Sequence, residues 1–147
     1  MSGIAEYNAR LRRIRDRASN ERTMFRGLIA RFKNSERRIF DSEGQALGAR
    51  WRPLSPEYAA AKSRDYPGTP ILVRTGRLRS SLTERPTVRF RGNTMEIGTN
   101  VPYSQYHQRG MGHNPVRRHV GLTIGDRSAW ANDVREYIVN GRPMKEF

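Results

Sequence analysis

The first forty residues restrict the fold more than any other part of the chain, because an apolar stripe at helical spacing runs through them without a proline. This stripe takes every third and fourth position in alternation, and its spacing is the a/d pattern of an amphipathic helix, sustained over about five heptads. Nine of its eleven positions are apolar, in the series Ile4, Tyr7, Leu11, Ile14, Ala18, Glu21, Phe25, Leu28, Phe32, Ser35 and Ile39.

A single helix over this stripe, from residue 3 to about 40, would be very long for the chain that carries it. At ~1.5 Å per residue it would measure roughly 50–55 Å, which exceeds the width of a globule of 147 residues by the usual scaling. We therefore expect a long N-terminal helix that either breaks, at Ser19-Asn20 or at Gly27, or extends to a neighbouring subunit.

The clearest element after this helix is a β-hairpin over residues 87–99, TVRFRGNTMEIGT. Gly92-Asn93 suits a two-residue turn. Pairing around that turn places Phe90 opposite Met95 and Val88 opposite Ile97 on one face. On the other face it places Arg89 opposite Glu96, so that opposite charges meet.

Shorter helices are predicted by their capping residues. Ser55-Pro56-Glu57 has an N-cap, a proline at the first helical position and an acid in the first turn. Thr75 is expected to cap a short helix that carries Leu78 and Leu82. A further short helix should end at Gly110, and a C-terminal helix should run from about Asp126 to Asn140.

These elements predict an α+β fold in a single domain over residues 1–147. Residues 1–40 form the long helix, and residues 41–147 form an α+β body. In that body we expect a small antiparallel β-sheet built around the hairpin, with the C-terminal helix packed on the sheet.

The charge balance points to an anionic partner. The chain has 28 Lys and Arg against 14 Asp and Glu, a net charge of +14, and 25 of the 28 cationic residues are arginine. Such a surface prefers nucleic acid or an acidic protein. The charge is spread along the chain, which argues against a disordered basic arm. A coding bias that scatters arginine over solvated faces stays open as the alternative.

Composition excludes several classes of protein. There is no cysteine, so disulfides, thiol catalysis and cysteine zinc sites are ruled out. No apolar run approaches the ~20 residues of a membrane span, and MSGIAEYNARLRRIRDR lacks the apolar segment of a signal peptide. We expect a protein that is made in a reducing cytoplasm, with no membrane contact.

The three histidines, His107, His113 and His119, are spaced six residues apart. That spacing matches one face of neither a helix nor a strand, and no Asp or Glu lies between Glu96 and Asp126, so we expect no metal site. No serine elbow and no glycine-rich phosphate loop is present. We expect no cofactor and no catalysis, and the rival of a hydrolase hidden in the 107–119 loop ranks lowest. Nonspecific DNA binding through phosphates is the second hypothesis.

Four blocks that occur in order make the pattern more specific. They resemble the virion morphogenesis, or tail completion, family of tailed bacteriophages, and the resemblance runs from about residue 25 to 140. One departure lies at His119-Val120, where the family more often has an aromatic–aliphatic pair. The blocks are GARWRPLSPEYAAAK (48–62), GTPILVRTGRLRSSL (68–82), MEIGTNVPYSQYHQRG (95–110) and VRRHVGLTIGD (116–126).

The resemblance implies a structural protein of the virion, assembled in the bacterial cytoplasm and placed at the head–tail junction. It implies a homo-oligomeric ring, with six or twelve subunits, that joins neck, portal-side or tail-tube proteins and has at most transient contact with packaged DNA. A ring would cover the apolar stripe and pair arginines with acidic faces. The candidate interface residues are Arg10, Arg12, Arg13, Arg15, Tyr103, Tyr106 and His107, of which the last three are expected either in the core or at a subunit seam.

Overall fold

Two consecutive helices form where the long N-terminal stripe lies. The computed structural model describes residues 2–144, apart from the side chains at positions 2 and 124. Helix α1 spans Ser2–Ala18 and helix α2 spans Glu21–Asp41. The break falls at Ser19-Asn20, one of the two places that the sequence allowed, and α2 continues through Gly27.

Polar side chains at the break end one helix and begin the next. Ser19 Oγ donates a hydrogen bond to the carbonyl oxygen of Arg15 at 2.9 Å. Asn20 Oδ1 accepts from the backbone N–H of Thr23 at 3.4 Å and from its hydroxyl at 3.2 Å. Ser and Asn favour such local bonds over the helical ladder, which is why the stripe divides here although its apolar period continues.

The described chain forms two compact units. The first contains the residues up to Arg31 together with those from Ile124 onward, and the second contains Phe32–Thr123. The boundary falls inside α2. The single domain over residues 1–147 stays a prediction.

In the first unit, helix α6, Ile124–Asn140, packs against α1. The sequence led us to expect this helix on the hairpin sheet, which belongs to the second unit, and that packing stays a prediction. Arg17 explains the pairing with α1, because its guanidinium donates to the carbonyl oxygens of Ile138 at 2.9 Å and Val139 at 3.0 Å. A cation at a helix C-terminus satisfies carbonyls that have no intrahelical partner.

The N-terminal half of α2 is tied to the same unit. Arg31 forms an ion pair with Asp133 of α6, and both side chains are largely withdrawn from solvent. Burial lowers the pKa of Arg31, and the charge of Asp126 opposes that shift. Gly27 lies against the buried side chain of Met144, so closely that a Cβ at position 27 would overlap it.

The core of the second unit is built around two aromatic rings. Phe40 and Trp51 meet edge to face with ring centroids 5.5 Å apart. Trp51 Nε1 donates to the carbonyl oxygen of Arg118 at 2.6 Å, which satisfies the polar end of a buried indole. The apolar side chains in this unit that are also at most 5% exposed are Phe32, Ile39, Leu78, Leu82 and Val101, and the polar ones are Ser35, Glu36, Thr83, Arg117 and His119.

Most of the short elements begin and end where the sequence predicts. Helix α3 spans Pro56–Asp65 and its N-cap is Ser55, while α5 spans Ser104–Arg109 and ends at Gly110. Helix α4 spans Arg77–Thr83, and a 3-10 turn covers Gln45–Leu47. The prediction that Thr75 caps α4 was wrong, because Gly76 holds that place in a left-handed conformation with φ of 79°.

The hairpin has the predicted register. Strand β1 spans Thr87–Arg91, strand β2 spans Thr94–Gly98, and they are antiparallel. Val88 lies opposite Ile97, Phe90 opposite Met95 and Arg89 opposite Glu96. With these two strands as the one sheet among the described residues, the fold class is α+β, as expected.

Candidate functional site

Helix α1 presents an apolar face that nothing in the described chain covers. Ile4 is 73% exposed, Tyr7 62% and Leu11 45%. The side of α1 that contacts α6 carries Arg17 instead. The first three stripe positions of α1 are therefore exposed, whereas Ile14 is half-buried.

The four predicted arginines of α1 all lie on exposed parts of the helix, at positions 10, 12, 13 and 15. Arg15 pairs with its neighbour Asp16, with 3.0 Å between Nη2 and Oδ1, and both side chains are more than half exposed. Exposed pairs of this kind contribute about 0–1 kcal/mol. These arginines thus add positive charge beside an uncovered apolar stripe without being committed to the fold.

The second unit contains a separate feature, a cleft of about 1080 Å³ that we call the basic cleft. It is formed by the segment around Arg52-Pro53, helix α3, the loop before α4 and the segments on either side of α5. None of its lining residues, all of which lie in the described part of the chain, is Asp or Glu. Its cationic side chains are Arg52, Lys62, Arg74, Arg77 and Arg117.

Two of these arginines repel each other in the wall of the cleft. Arg117 is only 5% exposed, and its guanidinium donates to the carbonyl oxygens of Arg52 at 2.9 Å and Pro53 at 3.0 Å. Burial lowers the pKa of Arg117, and the positive charge of Arg52 lowers it further. The hydrogen bonds of Arg117 are thus made to neutral carbonyls, and no carboxylate lining the cleft offsets its charge.

Lys62 supports the opposite part of the cleft. Its Nζ donates to the carbonyl oxygens of Thr69 and Pro70, so it holds the loop that precedes α4. Burial lowers the pKa of Lys62, while the carboxylate of Glu43 raises it. Glu43 in turn accepts from the backbone N–H of Ile71 at 3.1 Å, a bond that lowers the pKa of Glu43. In this part of the cleft the lysine thus has a carboxylate that offsets its charge, whereas Arg52 and Arg77 pair with no carboxylate in the described part of the chain.

Two of the predicted interface residues reach the basic cleft. His107 and Tyr103 both line it, with their rings edge to face and centroids 6.4 Å apart. The Nδ1 atom of His107 is buried and has no hydrogen-bond partner among residues 2–144. Burial lowers the pKa of His107, and the nearby charge of Arg117 acts in the same direction. A buried polar atom without a partner costs about 1–3 kcal/mol, so this nitrogen is a group that a ligand could satisfy.

The other predicted aromatic lies outside the cleft. Tyr106 is 43% exposed and Tyr103 is 39% exposed, so neither belongs to the core. Tyr103 is the N-cap of α5 and lines the cleft, whereas Tyr106 lies inside the helix and is not among the residues that line the cleft. The structure therefore brings Tyr103 together with His107 and leaves Tyr106 on the surface.

The three histidines have three different environments. His119 is fully buried, where Nε2 lies 2.7 Å from Ser104 Oγ and Nδ1 lies 3.1 Å from the carbonyl oxygen of Arg117. Its backbone N–H donates to Gln108 Oε1 at 2.9 Å. His113 is exposed and lines the cleft. His119 therefore fastens α5 to the strand-like segment after it and is a structural residue.

Residues 2–144 contain no cluster of three or more His, Cys, Asp or Glu side chains arranged to hold a metal ion. In the same range, no helix has both the length and the apolar character required to cross a membrane. The groups that the structure does bring together are cationic, aromatic and apolar. Such a set can bind an anionic partner.

Sequence reasoning missed the cationic part of the cleft. Arg52 lies in the block RWRPLS and Arg117 in VRRH, and they are separated by 65 positions. Among 25 arginines nothing local distinguishes these two. The two arginines share only a weak sequence signal. Each lies in an irregular segment, where backbone carbonyls need hydrogen-bond donors from outside a helix or strand.

Comparison with models of known protein families gives one match. The model of the phage virion morphogenesis family matches residues 4–144, which is nearly the whole chain. The chain belongs to the phage virion morphogenesis family. Its role is therefore structural, in the assembly of a bacteriophage virion. No curated protein and no solved structure matches the chain.

Proposed function

We propose that this member of the phage virion morphogenesis family is a tail completion protein that joins head and tail at the neck. In this proposal, copies of the chain form a homo-oligomeric ring of six or twelve subunits at the head–tail junction. The protein acts by binding its neighbours and carries out no chemical reaction.

The observation that carries the proposal is the uncovered apolar face of α1. Ile4, Tyr7 and Leu11 lie in an a/d stripe, the spacing with which helices pack against one another. Burial of such side chains stabilises an interface by roughly 25 cal/mol for each Å² of apolar surface. Monomeric proteins rarely keep a contiguous stripe of this kind in water. A ring of subunits would cover it.

Light scattering on nuclease-treated protein tests the ring, at low salt and at about 0.5 M salt, where exposed charge contacts are largely screened. We expect a discrete multimer in both, because the contact is apolar. A protein that stays monomeric, and also fails to assemble when a neck or tail partner is added, contradicts the proposal. Salt-sensitive retention on any DNA by such a monomer would favour the nonspecific DNA-binding function instead.

A matched pair of variants locates the contact on α1. Leu11→Gln places an amide in the stripe at a side chain that is 45% exposed, and Met111→Gln makes a similar change at one that is 40% exposed elsewhere. We expect Leu11→Gln to weaken assembly roughly tenfold and Met111→Gln to leave it unchanged. Equal behaviour of the two variants would place the ring contact away from α1.

In this proposal the arginines of α1 contact acidic faces of adjacent virion proteins. Gln has nearly the same helix propensity as Arg. Replacement of Arg10, Arg12, Arg13 and Arg15 by Gln should therefore preserve the helix while it removes four positive charges. We expect rings of this variant to form but to join their neck or tail partner poorly, with loss of infectious particles. Particles formed at the normal yield would exclude this role for the arginines.

A further inference from the structure

The basic cleft lies within the second unit and contains no residue of α1. We propose that it binds an acidic, extended polypeptide segment of a different virion protein. Acidic side chains of that segment would pair with Arg52 and Arg77, and its apolar side chains would lie among the leucine, valine and proline residues of the cleft. This inference is independent of ring formation.

The positive charge of the cleft favours an anionic ligand. Arg52 and Arg77 are exposed, line the cleft and have no hydrogen-bonded or ion-paired side chain around them in the described structure. Arg52 also repels Arg117, which is already deprived of water. A concave site lined by one sign of charge focuses the potential and raises the local concentration of a ligand of opposite sign. Carboxylates also match the planar donors of arginine in pairs.

The shape and the apolar lining favour a polypeptide over nucleic acid. Leu54, Leu72, Val73 and the two prolines Pro53 and Pro115 line the cleft between the cationic groups. A duplex presents its phosphates on a convex surface and offers nothing to these apolar side chains. The volume of about 1080 Å³ is at the upper end of ordinary ligand sites, which span roughly 300–1,000 Å³, so it has room for a short segment rather than a single ion.

The segment is expected to come from another protein rather than from a second copy. The 14 acidic residues of this chain are scattered, and the closest pairs are Asp41 with Glu43 and Asp133 with Glu136. The net charge of +14 also makes one copy a poor anionic ligand for the next. An acidic segment with apolar residues at alternate positions therefore has to be supplied by a partner.

Fluorescence anisotropy tests the proposal with a labelled synthetic peptide of alternating Glu and Leu, at about 0.15 M salt. The comparison peptide carries Gln in place of Glu. The cleft variant is Arg52→Gln with Arg77→Gln, and the matched control is Arg85→Gln with Arg91→Gln, two exposed arginines of the same unit outside the cleft. Each double variant removes two charges, so any difference between them reflects position and not net charge.

We expect the Glu peptide to bind, the cleft variant to weaken it roughly tenfold, and the control variant to leave it unchanged. Circular dichroism should show both variants folded, because Arg52 contributes its backbone carbonyl to Arg117 and not its side chain. Absence of binding, equal binding of the Gln peptide, or equal loss in both variants overturns the proposal. If a short DNA duplex binds the unmodified protein and the control variant but not the cleft variant, the proposal is overturned in favour of nucleic acid.

NMR signals of the histidines test where the peptide binds, separately from how tightly it binds. His107 and His113 line the cleft, whereas His119 is fully buried in the core. In a proton–carbon NMR titration, the imidazole C–H signals of His107 and His113 should shift with peptide, and those of His119 should stay in place. Shifts at His119 alone, or at none of the three, contradict binding in the cleft.

Discussion

At the scale of single residues, the second unit depends on a close approach between a glycine and a tryptophan. Gly44 has a φ of 90°, and a Cβ on it would overlap Trp51 Cδ1. Trp51 is held there by two bonds, from its backbone N–H to the carbonyl oxygen of Glu43 at 2.7 Å and from its indole to Arg118. The ring cannot move aside without giving up its contact with Phe40.

Gly44→Ala should therefore destabilise the protein more than Gly48→Ala does. Both glycines have left-handed conformations, which cost a non-glycine residue about 1–2 kcal/mol. At Gly48 there is open space around the added methyl group, while at Gly44 overpacking adds about 1–3 kcal/mol. Urea unfolding measures both variants. Equal losses would mean that Trp51 shifts freely, and the description of this core would have to change.

His119 makes stability depend on pH. Burial lowers its pKa, a bond to the carbonyl oxygen of Arg117 opposes the shift, and His107 adds to it. The unfolded chain, where histidine has a pKa of about 6.5, therefore binds more protons than the folded chain. The stabilisation from the neutral ring is complete above about pH 6.5 and is lost as the pH falls toward the lowered folded value.

We expect the free energy of unfolding to fall between about pH 7 and pH 5, and to fall less steeply in His119→Asn. That variant should also be less stable throughout, since Ser104 loses its buried partner. His113→Asn, at an exposed position, is the control and should keep the original slope. The same slope in His119→Asn as in the unmodified protein would exclude this histidine as the cause.

At the scale of elements, the contact between α1 and α6 rests on Arg17. Arg17→Gln should cost about 1–2 kcal/mol, because it removes a charged donor from the C-terminal carbonyls of α6. Arg12→Gln, on an exposed part of the same helix, should cost almost nothing. Thermal unfolding of the two variants measures the difference. Equal melting temperatures would show that Arg17 adds nothing measurable to the contact between α1 and α6.

Elements whose signals are local could be predicted from the sequence. The hairpin was correct to its register because turn, alternation and cross-strand charge all agree around Gly92-Asn93. The break at Ser19-Asn20 and the ends of α3 and α5 follow from capping residues within one turn. The N-cap of α4 was predicted one residue too early, at Thr75. The N-cap is Gly76, whose left-handed conformation favours glycine.

Long-range pairings could not be predicted in this way. The contact between α6 and α1 was not predicted, and Arg17, which reaches the final carbonyls of α6, gives no sign of it in the sequence. The basic cleft joins segments from Arg52 to Arg117, and no periodicity connects them. Of the seven predicted interface residues, the structure brings Tyr103 and His107 into the cleft, and a role for any of the seven in subunit contact stays a prediction.

At the scale of the whole molecule, the net charge of +14 is distributed over two surfaces of different character. In the first unit, arginines flank an apolar stripe on α1, a combination suited to contact between helices beside acidic neighbours. In the second unit, arginines line a concave site without acids. In the two proposals made above, copies of the chain bind at the first surface and a different protein binds at the second, so that one contact does not compete with the other.

The two surfaces should therefore fail independently. We expect Leu11→Gln to lose assembly yet bind the acidic peptide as the unmodified chain does, because no residue of α1 lines the cleft. We expect Arg52→Gln with Arg77→Gln to lose the peptide yet form the normal multimer. Light scattering and anisotropy on the same samples measure both. If either variant lost both activities while circular dichroism showed it folded, peptide binding would depend on the assembled ring, and the cleft would have to be assigned to the assembly rather than to the single chain.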